Sequence, residues 1–457
     1  MLSPTLSILL VLVLLGSIFG GLWLAQQQLS LSSEAPRKGA HVLMGGVTVS
    51  FPWVFDAAWP VVVVCSVIIA LFLVLRAVPA LRDGPGAVLH RVQRESWGEI
   101  CYPAAVMLLF VLADGDPLLY GVPMLVLTLA DPMAALVGQR YGTAHYRTHD
   151  GAKSGEGSLG FFFVAFLCTH VPLLLTSATG RLESLLIGLI VGFVVMLLEA
   201  IAWRGLDNLF VPLGSYALLA TLLAMDAYAL AARLLVVGGL FGLATVWYRE
   251  TTLDGSATFA AALVGVLTWM VGGWLWLIPP AVVYFGYTLL WPDASRPRTA
   301  NVPVVHSVQN VLGVAAVGLG WLLLSVATQE PALLVPYLLA YAASLGLIGA
   351  ERLRSADASV SAAQILGRSS LRSCIALLIP FVLILGPDVY VLPLAAGMLG
   401  AVLLTGLIYL QAPRFFQDDA PPVVIHLRRA ALIASTSALG LPVLTLPNAQ
   451  ALLDLWG

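Results

Sequence analysis

The sequence predicts an all-α fold, a polytopic bundle of transmembrane helices with roughly 16 spans in two halves. Two observations predict it. Of the 457 residues, 60% are hydrophobic and 10% are charged, and the mean hydropathy is +0.95, whereas a soluble domain carries about 25% charged residues. In addition, apolar runs near the ~20 residues needed to cross a bilayer recur along the whole chain. The composition therefore excludes a soluble protein and indicates an integral, multi-pass membrane protein.

The first apolar run, from Leu6 to Leu24, has no basic segment before it and no small-residue cleavage site. These features predict a first transmembrane helix rather than a signal peptide that is removed. Later in the first half, a helix is predicted from Glu99 to about Leu112, and the next helix is predicted to end at Asp131. Four polar segments separate the apolar runs of this half, namely residues 34–41, 76–96, 139–158 and 203–208.

The remaining elements follow from the same alternation of apolar and polar segments. Helices are predicted at about 159–176 and 183–202. Beyond Arg249 the pattern starts afresh, and roughly seven further spans are predicted there. We therefore predict a domain boundary near residue 250, between a first domain of residues 1–250 and a second transmembrane domain of residues 251–457.

Basic residues predict the orientation. With the amino terminus outside, nearly all of the 22 lysine and arginine residues fall in loops on the inner side, and Arg181 and Arg233 are the clear exceptions. This orientation places the four polar segments on the cytoplasmic face of an inner or cytoplasmic membrane, where a soluble nucleotide can reach them. The net charge of -2 indicates no particular partner. No nucleic acid is expected to bind, and no oligomeric state is predicted.

The polar residues between positions 131 and 158 predict the functional site. Asp131 closes an apolar run, Gly138 and Gly142 follow at small-xxx-small spacing, and Lys153 lies in a polar loop with glycines around it. Ionisable residues are costly beside hydrocarbon and mark functional sites. The chain has two lysines, and both Lys38 and Lys153 lie in polar segments. This pattern predicts a metal-nucleotide site at a membrane surface.

A divalent cation and a set of phosphates would use different residues of this site. Mg²⁺ is typically held by one or two carboxylates together with water and substrate phosphates, and Asp131 with Glu199 or Asp207 can supply them. Phosphoryl and nucleotidyl transfer otherwise need positioning and positive charge against the phosphates. Lys153 and Ser154 in the glycine-flanked loop can supply both.

Backbone groups extend the predicted phosphate site, and other interpretations stay open for part of it. N–H groups at the start of the helix predicted after Ser158 can bind phosphate, and Gly138 and Gly142 let two backbones approach closely. The two glycines could equally serve helix packing alone, and Asp207 and Asn208 could cap the following helix. The basic residues that could serve only as topology anchors are Arg37, Lys38, Arg140 and Arg147.

Four short segments of the first half carry a resemblance to a known family. They are Arg37-Lys38-Gly39-Ala40-His41, Asp131 with Gly138, Arg140 and Gly142, Lys153-Ser154-Gly155-Glu156-Gly157-Ser158, and Glu199 followed by Asp207-Asn208-Leu209-Phe210-Val211-Pro212. Together they resemble the membrane family of CTP-dependent lipid kinases, which includes phytol, farnesol and dolichol kinases and the CTP-dependent diacylglycerol kinase. That family is related to phosphatidate cytidylyltransferase.

The resemblance implies CTP as phosphoryl donor and a lipid alcohol as substrate. The positions that it implies as important are Arg37, Lys38, Asp131 and Gly138. This chain departs from the family pattern at Gly205-Leu206, where a second acid often precedes Asp207, and at Ala200, where a serine often follows the glutamate. These departures affect the expected metal ligands more than the class of reaction.

The predicted site residues therefore fall into three groups. The predicted catalytic residues are Asp131, Lys153 and Glu199. The residues predicted to bind the nucleotide are Arg37, Lys38, Gly138, Gly142, Ser154 and Ser158. The residues predicted to bind Mg²⁺ are Asp131, Glu199 and Asp207.

The second half is weakly similar to membrane proteins of the phytyl-phosphate kinase type. Leu253-Asp254-Gly255 and Val308-Gln309-Asn310 resemble two of its segments, but its D-T-x-x-S-E-x-G core is not visible, and Ala350-Glu351-Arg352 stands near that place. A structural partner without catalytic function and a second active site both stay open for this half.

Three functions are considered for the whole chain. The first is a kinase that transfers the γ-phosphoryl group of CTP, with Mg²⁺, to an isoprenoid or similar lipid alcohol held among membrane lipids. The second is a cytidylyltransferase, in which a lipid phosphate attacks the α-phosphate and releases pyrophosphate. The third is a transporter, which predicts ionisable residues near the middle of the spans, and few are present there.

Overall fold

Long apolar segments form α-helices throughout the chain. The computed structural model describes residues 3–29, 34–78, 96–148, 150–291, 306–356, 359–386, 391–417 and 421–445. These residues form 18 α-helices and one two-stranded sheet, which confirms the prediction of a helical bundle and adds a hairpin to it. The chain divides into two compact units, Met1–Gly238 and Gly239–Gly457. The functional division near residue 250 stays a prediction.

The first unit contains the helices that surround the predicted site. They are α1 (Pro4–Leu29), α2 (Glu34–Val49), the short α3 (Phe51–Val54), α4 (Ala58–Ala77), α5 (Gly98–Leu112), α6 (Pro117–Tyr141), α7 (Gly155–Thr176), α8 (Arg181–Ile201) and α9 (Asp207–Leu222). Helix α10 (Ala227–Trp247) follows. Helix α6 packs against α2, α7 and α9, and α8 packs against α7 and α9. This packing brings the helices that carry the predicted site residues side by side.

The second unit is organised around one buried helix. After a 3₁₀ turn at Tyr248–Glu250, its helices are α11 (Gly255–Gly272), α12 (Trp274–Leu289), α13 (Val308–Thr328), α14 (Leu334–Ala356), α15 (Ala362–Leu385), α16 (Val391–Gln411), the short α17 (Pro413–Gln417) and α18 (Pro422–Ser437). Short 3₁₀ segments lie at Pro331–Leu333 and Ala438–Thr445. Helix α14 packs against α12, α13, α15, α16 and α18, and its Tyr337 and Tyr341 are fully buried.

Eleven helices of the described residues are long and apolar enough to cross a membrane. The multi-pass prediction is therefore confirmed, whereas the count of roughly 16 spans exceeds the number of such helices. Five further helices (α2, α5, α9, α12 and α18) have 15 or 16 residues, which at ~1.5 Å per residue is shorter than the ~30 Å hydrocarbon core. A count of apolar runs does not separate such helices from full-length spans.

Helix α6 continues beyond the point where the sequence predicts its end. It includes Asp131 and Pro132 and runs on to Tyr141. Proline has no N–H and its ring crowds the preceding turn, which is why a helix end is expected there. In the folded chain the last turns of α6 pack against α7, and this packing offsets the cost of the proline.

The polar segment after α6 forms a hairpin rather than an irregular loop. Strand β1 (His145–Thr148) pairs antiparallel with β2 (Gly151–Ser154), and Tyr146 lies opposite Lys153. Gly151 has a φ of 135°, a conformation that glycine adopts without steric cost. The hairpin therefore fixes the direction of Lys153 relative to the helices on either side.

Helix α7 begins at Gly155, so Ser158 lies in its first turn rather than before it. The helix begins early because the Ser154 hydroxyl accepts a hydrogen bond from the Gly157 N–H (3.1 Å) and caps the helix. The strand β2 is thus joined to α7 without a linker, and the cap residue belongs to both elements.

Candidate functional site

One cavity of about 780 Å³ in the first unit contains most of the predicted site residues. Residues from all four predicted polar segments line it, with Ser96 as the contribution of the 76–96 segment, as do the first residues of α5 and the apolar faces of α1 and α4. Most of the 76–96 segment lies outside the described residues. The polar segments therefore converge on a single space, as the prediction of one site requires.

Helix α2 brings Lys38 to the Asp131 carboxylate. The Lys38 Nζ lies 2.9 Å from the Asp131 Oδ2, and about a fifth of each side chain is exposed. The His41 Nε2 lies 3.0 Å from the Leu127 carbonyl oxygen, one turn before Asp131. A Cβ on Gly45 would lie 2.4 Å from the side chain of Thr128. Only glycine therefore allows α2 to approach α6 this closely, and this contact sets the position of Lys38.

Strand β2 brings the other lysine to the Glu199 carboxylate. The Lys153 Nζ lies 2.8 Å from the Glu199 Oε1 and 2.5 Å from the Glu199 carbonyl oxygen. The Glu199 side chain is only 8% exposed. Desolvation lowers the pKa of Lys153, but the negative charges of Glu199 and Asp207 raise it by more, and the net pKa lies above its usual value. Lys153 therefore stays charged across the physiological pH range.

The third predicted carboxylate, Asp207, lies at the start of α9 and lines the same cavity. Residue 206, which occupies the capping position, is a leucine and makes no side-chain cap. The interpretation of Asp207 as a helix cap is therefore wrong. Asp207 forms no ion pair within the described part of the chain, so its negative charge is not directly compensated.

A tight turn before α9 places Asp207. Arg204 and Gly205 have φ values of 53° and 81°, and a Cβ on Gly205 would lie 2.5 Å from the Gly98 nitrogen. Glycine is therefore required at position 205, so no acid can stand there. The Arg204 N–H donates to the Asp150 Oδ2 (2.5 Å) in the hairpin turn. These contacts tie the turn both to α5 and to the hairpin.

The predicted glycines and serines form the junction of α6, β2 and α7. A Cβ on Gly138 would lie 2.9 Å from the Ser154 Oγ, and a Cβ on Gly142 would lie 2.9 Å from the same atom. A Cβ on Gly157 would lie 2.9 Å from the Ala134 carbonyl oxygen. The close approach of backbones predicted for Gly138 and Gly142 is present, and it leaves Ser154 buried beside them. Their contact with a nucleotide stays a prediction.

Ser158 is buried and hydrogen-bonded to a residue that the sequence analysis did not select. The Tyr146 hydroxyl lies 2.7 Å from the Ser158 Oγ, and burial raises the pKa of Tyr146 to about 12. Tyr146 alternates with exposed residues along β1, but a strand of four residues is too short for this two-residue periodicity to mark it in the sequence. The residues that line the cavity and that the sequence analysis did not select include His145, Asp150 and Glu99.

The predicted residues whose side chains the structure describes thus lie around one cavity. Those that line it are Lys38, Asp131, Gly138, Gly142, Lys153, Ser154, Ser158, Glu199 and Asp207. The side chain of Arg37 lies outside the described residues. Arg140 and Arg147 are exposed and do not line the cavity, so the interpretation of both as topology anchors remains open.

The charges of the cavity fit a hard divalent cation. Five carboxylates and three basic side chains line it, and carboxylate oxygens are the ligands that Mg²⁺ prefers. Among the described residues, no three His, Cys, Asp or Glu side chains are placed to hold a metal by themselves. A Mg²⁺ ion at Asp207 and Asp131 would therefore take its remaining ligands from water and phosphates, as is usual for this ion.

The same cavity has an apolar side. Helices α1, α4 and α5 line it with large apolar residues, which include Leu15, Phe19, Val64, Ile68, Phe72 and Val106. The opposite faces of α1 and α4 expose residues such as Leu9, Val13 and Val63, as expected for helices that border lipid. The cavity therefore has an apolar region, which suits an apolar chain, next to a polar region, which suits a charged group.

Comparison with known proteins gives one relevant similarity. The chain is 33% identical over 191 residues to phytol kinase of Synechocystis sp., and the aligned stretch covers 41% of this chain and 79% of that relative. No family model matches the chain, and no solved structure matches it significantly.

Proposed function

This chain belongs to the phytol kinase family, and from that premise we propose that it transfers the γ-phosphoryl group of CTP to the hydroxyl of an isoprenoid or related lipid alcohol. The observation that carries the proposal is the cavity of the first unit, in which two lysine–carboxylate pairs and an uncompensated aspartate adjoin an apolar wall. A nucleotide needs the first of these environments and a lipid chain needs the second.

Each charged residue has a proposed role. Lys38 and Lys153 bind the phosphates of the donor, since they are the two lysines of the chain and both reach this cavity. Arg37, next to Lys38, adds a further positive charge. Asp131 and Asp207, with Glu199 beside them, hold Mg²⁺, which when bound neutralises phosphate charge and orients the donor. The lysine–carboxylate pairs keep these groups in place before the nucleotide binds.

The glycine-rich junction supports the nucleotide from the side of α7. Gly138, Gly142 and Ser154 hold the end of α6 against the start of α7, and Ser158 lies in the first turn of that helix. The start of a helix presents N–H groups and a partial positive charge, which favour phosphate. We propose that the phosphates lie between this helix start and the two lysines.

The apolar side of the cavity is proposed to hold the lipid chain. A lipid chain that moves from the bilayer to this wall exchanges one apolar environment for another, so the wall receives the chain without exposing it to water. The charged side then receives the hydroxyl next to the donor phosphate. This arrangement favours a long-chain alcohol over a short soluble one.

Labelled CTP tests the reaction. Purified protein is incubated with phytol, farnesol, a dolichol or a diacylglycerol and with CTP labelled at the α- or γ-phosphorus. Label from the γ-position in the lipid supports the kinase, and label from the α-position, with a lipid phosphate as acceptor, supports the cytidylyltransferase instead. Parallel reactions with ATP, GTP and UTP test the choice of CTP, and a reaction without Mg²⁺ tests the cation.

We also propose that the hairpin faces the cytoplasm from an inner or cytoplasmic membrane. Arg147 on β1 is exposed, and the four native cysteines are buried or half-buried. The variant Arg147→Cys should react with a membrane-impermeant maleimide in inverted vesicles and not in intact cells. The reverse result would contradict this orientation.

A further inference from the structure

Each unit of this protein has a cavity with histidines in its wall. The cavity of the second unit has a volume of about 240 Å³ and is mostly apolar. One polar group among its lining residues consists of Asn310, Glu351, Arg352, Arg429, His306 and His426. His41 and His145 line the cavity of the first unit, where both lysines of the chain are also found. The histidines of the first cavity therefore share a space with the proposed phosphate-binding charges.

His41 lies at the boundary between the charged and the apolar side of the first cavity. On α2, Lys38, His41 and Met44 line the cavity at intervals of three residues. They therefore lie on one face of the helix, and successive members are ~4.5 Å apart along its axis. On α5, the ring of Tyr102 lies against that of His41, with 5.8 Å between the ring centroids. The imidazole is thus next to the charge of Lys38 on one side and to apolar and aromatic side chains on the other.

A hydrogen bond fixes which nitrogen of the His41 ring carries a proton. The Nε2 lies 3.0 Å from the Leu127 carbonyl oxygen, which can only accept, so the Nε2 carries the proton and donates it. In a neutral imidazole the other nitrogen, Nδ1, then has a lone pair and can accept. Within the described residues, no hydrogen bond to this Nδ1 is present. The ring is therefore held by α6 through one nitrogen and retains a proton acceptor for a ligand.

We infer that His41 is the general base of the proposed reaction and accepts the proton of the lipid alcohol through its Nδ1. The inference rests on the proposed function. An alcohol whose chain lies along the apolar wall presents its hydroxyl where that wall meets the charged region, and His41 lies at this boundary. Histidine is the side chain that most often acts as a general base.

The proton transfer accompanies the transfer of the phosphoryl group. The O–H bond of the alcohol breaks and its proton passes to the His41 Nδ1, while the alcohol oxygen forms a bond to the γ-phosphorus of CTP. The bond between the γ-phosphorus and the bridging oxygen breaks, and its electron pair leaves on CDP. The imidazolium then returns its proton to water.

The carboxylates near this boundary are less suited to accept the proton. Asp131 and Glu199 are each paired with a lysine, and the Glu99 Oε1 lies 3.5 Å from the Arg76 Nη1. Asp207 is proposed to bind the cation. A carboxylate beside a positive charge holds its ionised form more firmly and is a weaker proton acceptor.

The hairpin supplies two other titratable residues to the cavity, His145 and Asp150. His145 is exposed on β1, and the Asp150 Oδ2 accepts a hydrogen bond from the Arg204 N–H. Both belong to the hairpin and its turn rather than to the helices that form the apolar wall. His41 is therefore the proton acceptor that the position of the alcohol favours.

Steady-state kinetics with γ-labelled CTP and phytol or farnesol test the base in the full-length protein in lipid nanodiscs. His41→Gln keeps an N–H that can donate to the Leu127 carbonyl oxygen but has no basic nitrogen. Its kcat should fall by about 10²-fold or more, whereas its KM for CTP should change by less than about threefold. A kcat equal to that of the parent would overturn the inference, and so would a change confined to KM.

Two further histidine variants are the controls. His170→Gln should keep the kcat of the parent, because His170 lies within hydrogen-bonding distance of the Ser184 hydroxyl (3.2 Å) and lines neither cavity. His145→Gln tests the other histidine of the first cavity. A loss of kcat in His145→Gln that equals or exceeds the loss in His41→Gln would overturn the inference.

Chemical rescue separates a base from a structural residue. His41→Ala leaves space for a small molecule where the ring stood, and added imidazole should raise its kcat by about tenfold or more. Imidazole should not raise the kcat of His41→Gln, whose side chain fills that space. A kcat of His41→Ala that imidazole leaves unchanged would assign the loss to structure and overturn the inference. If His41→Ala fails to fold, the kcat of His41→Gln decides alone.

Failure of this inference is distinguishable from failure of the proposed function. If the parent transfers no γ-label to any alcohol, the reaction itself is wrong and the base with it. Transfer of α-label to a lipid phosphate would have the same consequence, because an ionised phosphate attacks without losing a proton. If the parent transfers γ-label and His41→Gln does so at the same rate, the reaction stands and the assignment of His41 alone is wrong.

Discussion

The two cavities of this protein differ in the charged side chains that line them. The cavity of the first unit is lined by five carboxylates and three basic side chains. In the second unit, two arginines accompany a single glutamate. The first cavity thus combines a carboxylate-rich side with an apolar wall, whereas the second cavity is mostly apolar around one small polar group. The comparison shows that two units built from similar apolar helices enclose different chemical environments.

The largest expected effect tests whether the cavity of the first unit is the site of phosphoryl transfer. Asp131→Asn should lower the rate of lipid phosphorylation by at least about 10²-fold, because it removes a charge that positions both the cation and Lys38. The matched control is Asp114→Asn. Asp114 is exposed and has a φ of 49°, which asparagine tolerates. Initial rates with γ-labelled CTP are measured for both variants. Unchanged activity in Asp131→Asn would refute the proposed site.

A double-mutant cycle tests whether the buried pair of Lys153 and Glu199 acts in catalysis or only in stability. Glu199→Met leaves the Lys153 charge without its partner and should cost roughly 2 kcal/mol of stability, given that Lys153 is partly exposed. Adding Lys153→Met should recover part of this loss but none of the activity. The Tm in detergent and the kinase rate are measured for all four proteins. Recovery of activity in the double variant would show that the pair is only structural.

The metal dependence should separate the two cavities. Asp207→Asn is expected to raise the Mg²⁺ concentration for half-maximal activity by about tenfold, since it replaces a proposed carboxylate ligand by a neutral amide of the same shape. Glu351→Gln removes a carboxylate from the cavity of the second unit and should leave that concentration unchanged. Activity is measured over a Mg²⁺ titration after removal of metal with EDTA. Equal shifts of the Mg²⁺ concentration for half-maximal activity in the two variants would contradict a cation site at Asp207.

The smallest expected effect concerns the turn that holds Asp207. Gly205→Ala introduces a Cβ at a φ of 81° beside the Gly98 nitrogen and should cost about 1–3 kcal/mol. Gly46→Ala is the matched control, because Gly46 lies within α2 and a Cβ there meets no atom within 4 Å. The Tm should fall for the first variant and stay or rise for the second. An unchanged Tm for Gly205→Ala would show that the turn is not constrained.

The sequence predicts the residues of the first cavity better than their pairing. Lys38 and Lys153 stand out because the chain has no other lysine, and carboxylates beside apolar runs stand out because they are costly. However, Lys38 meets a residue 93 positions away and Lys153 one 46 positions away. Such contacts depend on helix packing, and in particular on close approaches at glycines such as Gly45, which a single sequence does not specify.

Other features could not be predicted because their local signals are weak or misleading. Pro132 is a signal for the end of a helix, but α6 continues beyond it because its last turns pack against α7. The two strands of the hairpin have four residues each, too few for a clear alternation. The cavity of the second unit combines residues from α13, α14 and α18 that form no motif along the chain. Its polar group becomes visible only when these helices are brought together.

The apolar wall formed by α1 and α4 has a consequence for enzymology. These helices line the cavity on one face and expose apolar residues on the other, so an alcohol held there never has to desorb from the bilayer. Its effective concentration is then a mole fraction in the membrane rather than a molarity in solution. Diluting the alcohol with inert phospholipid at constant total amount should slow turnover, as in surface-dilution kinetics.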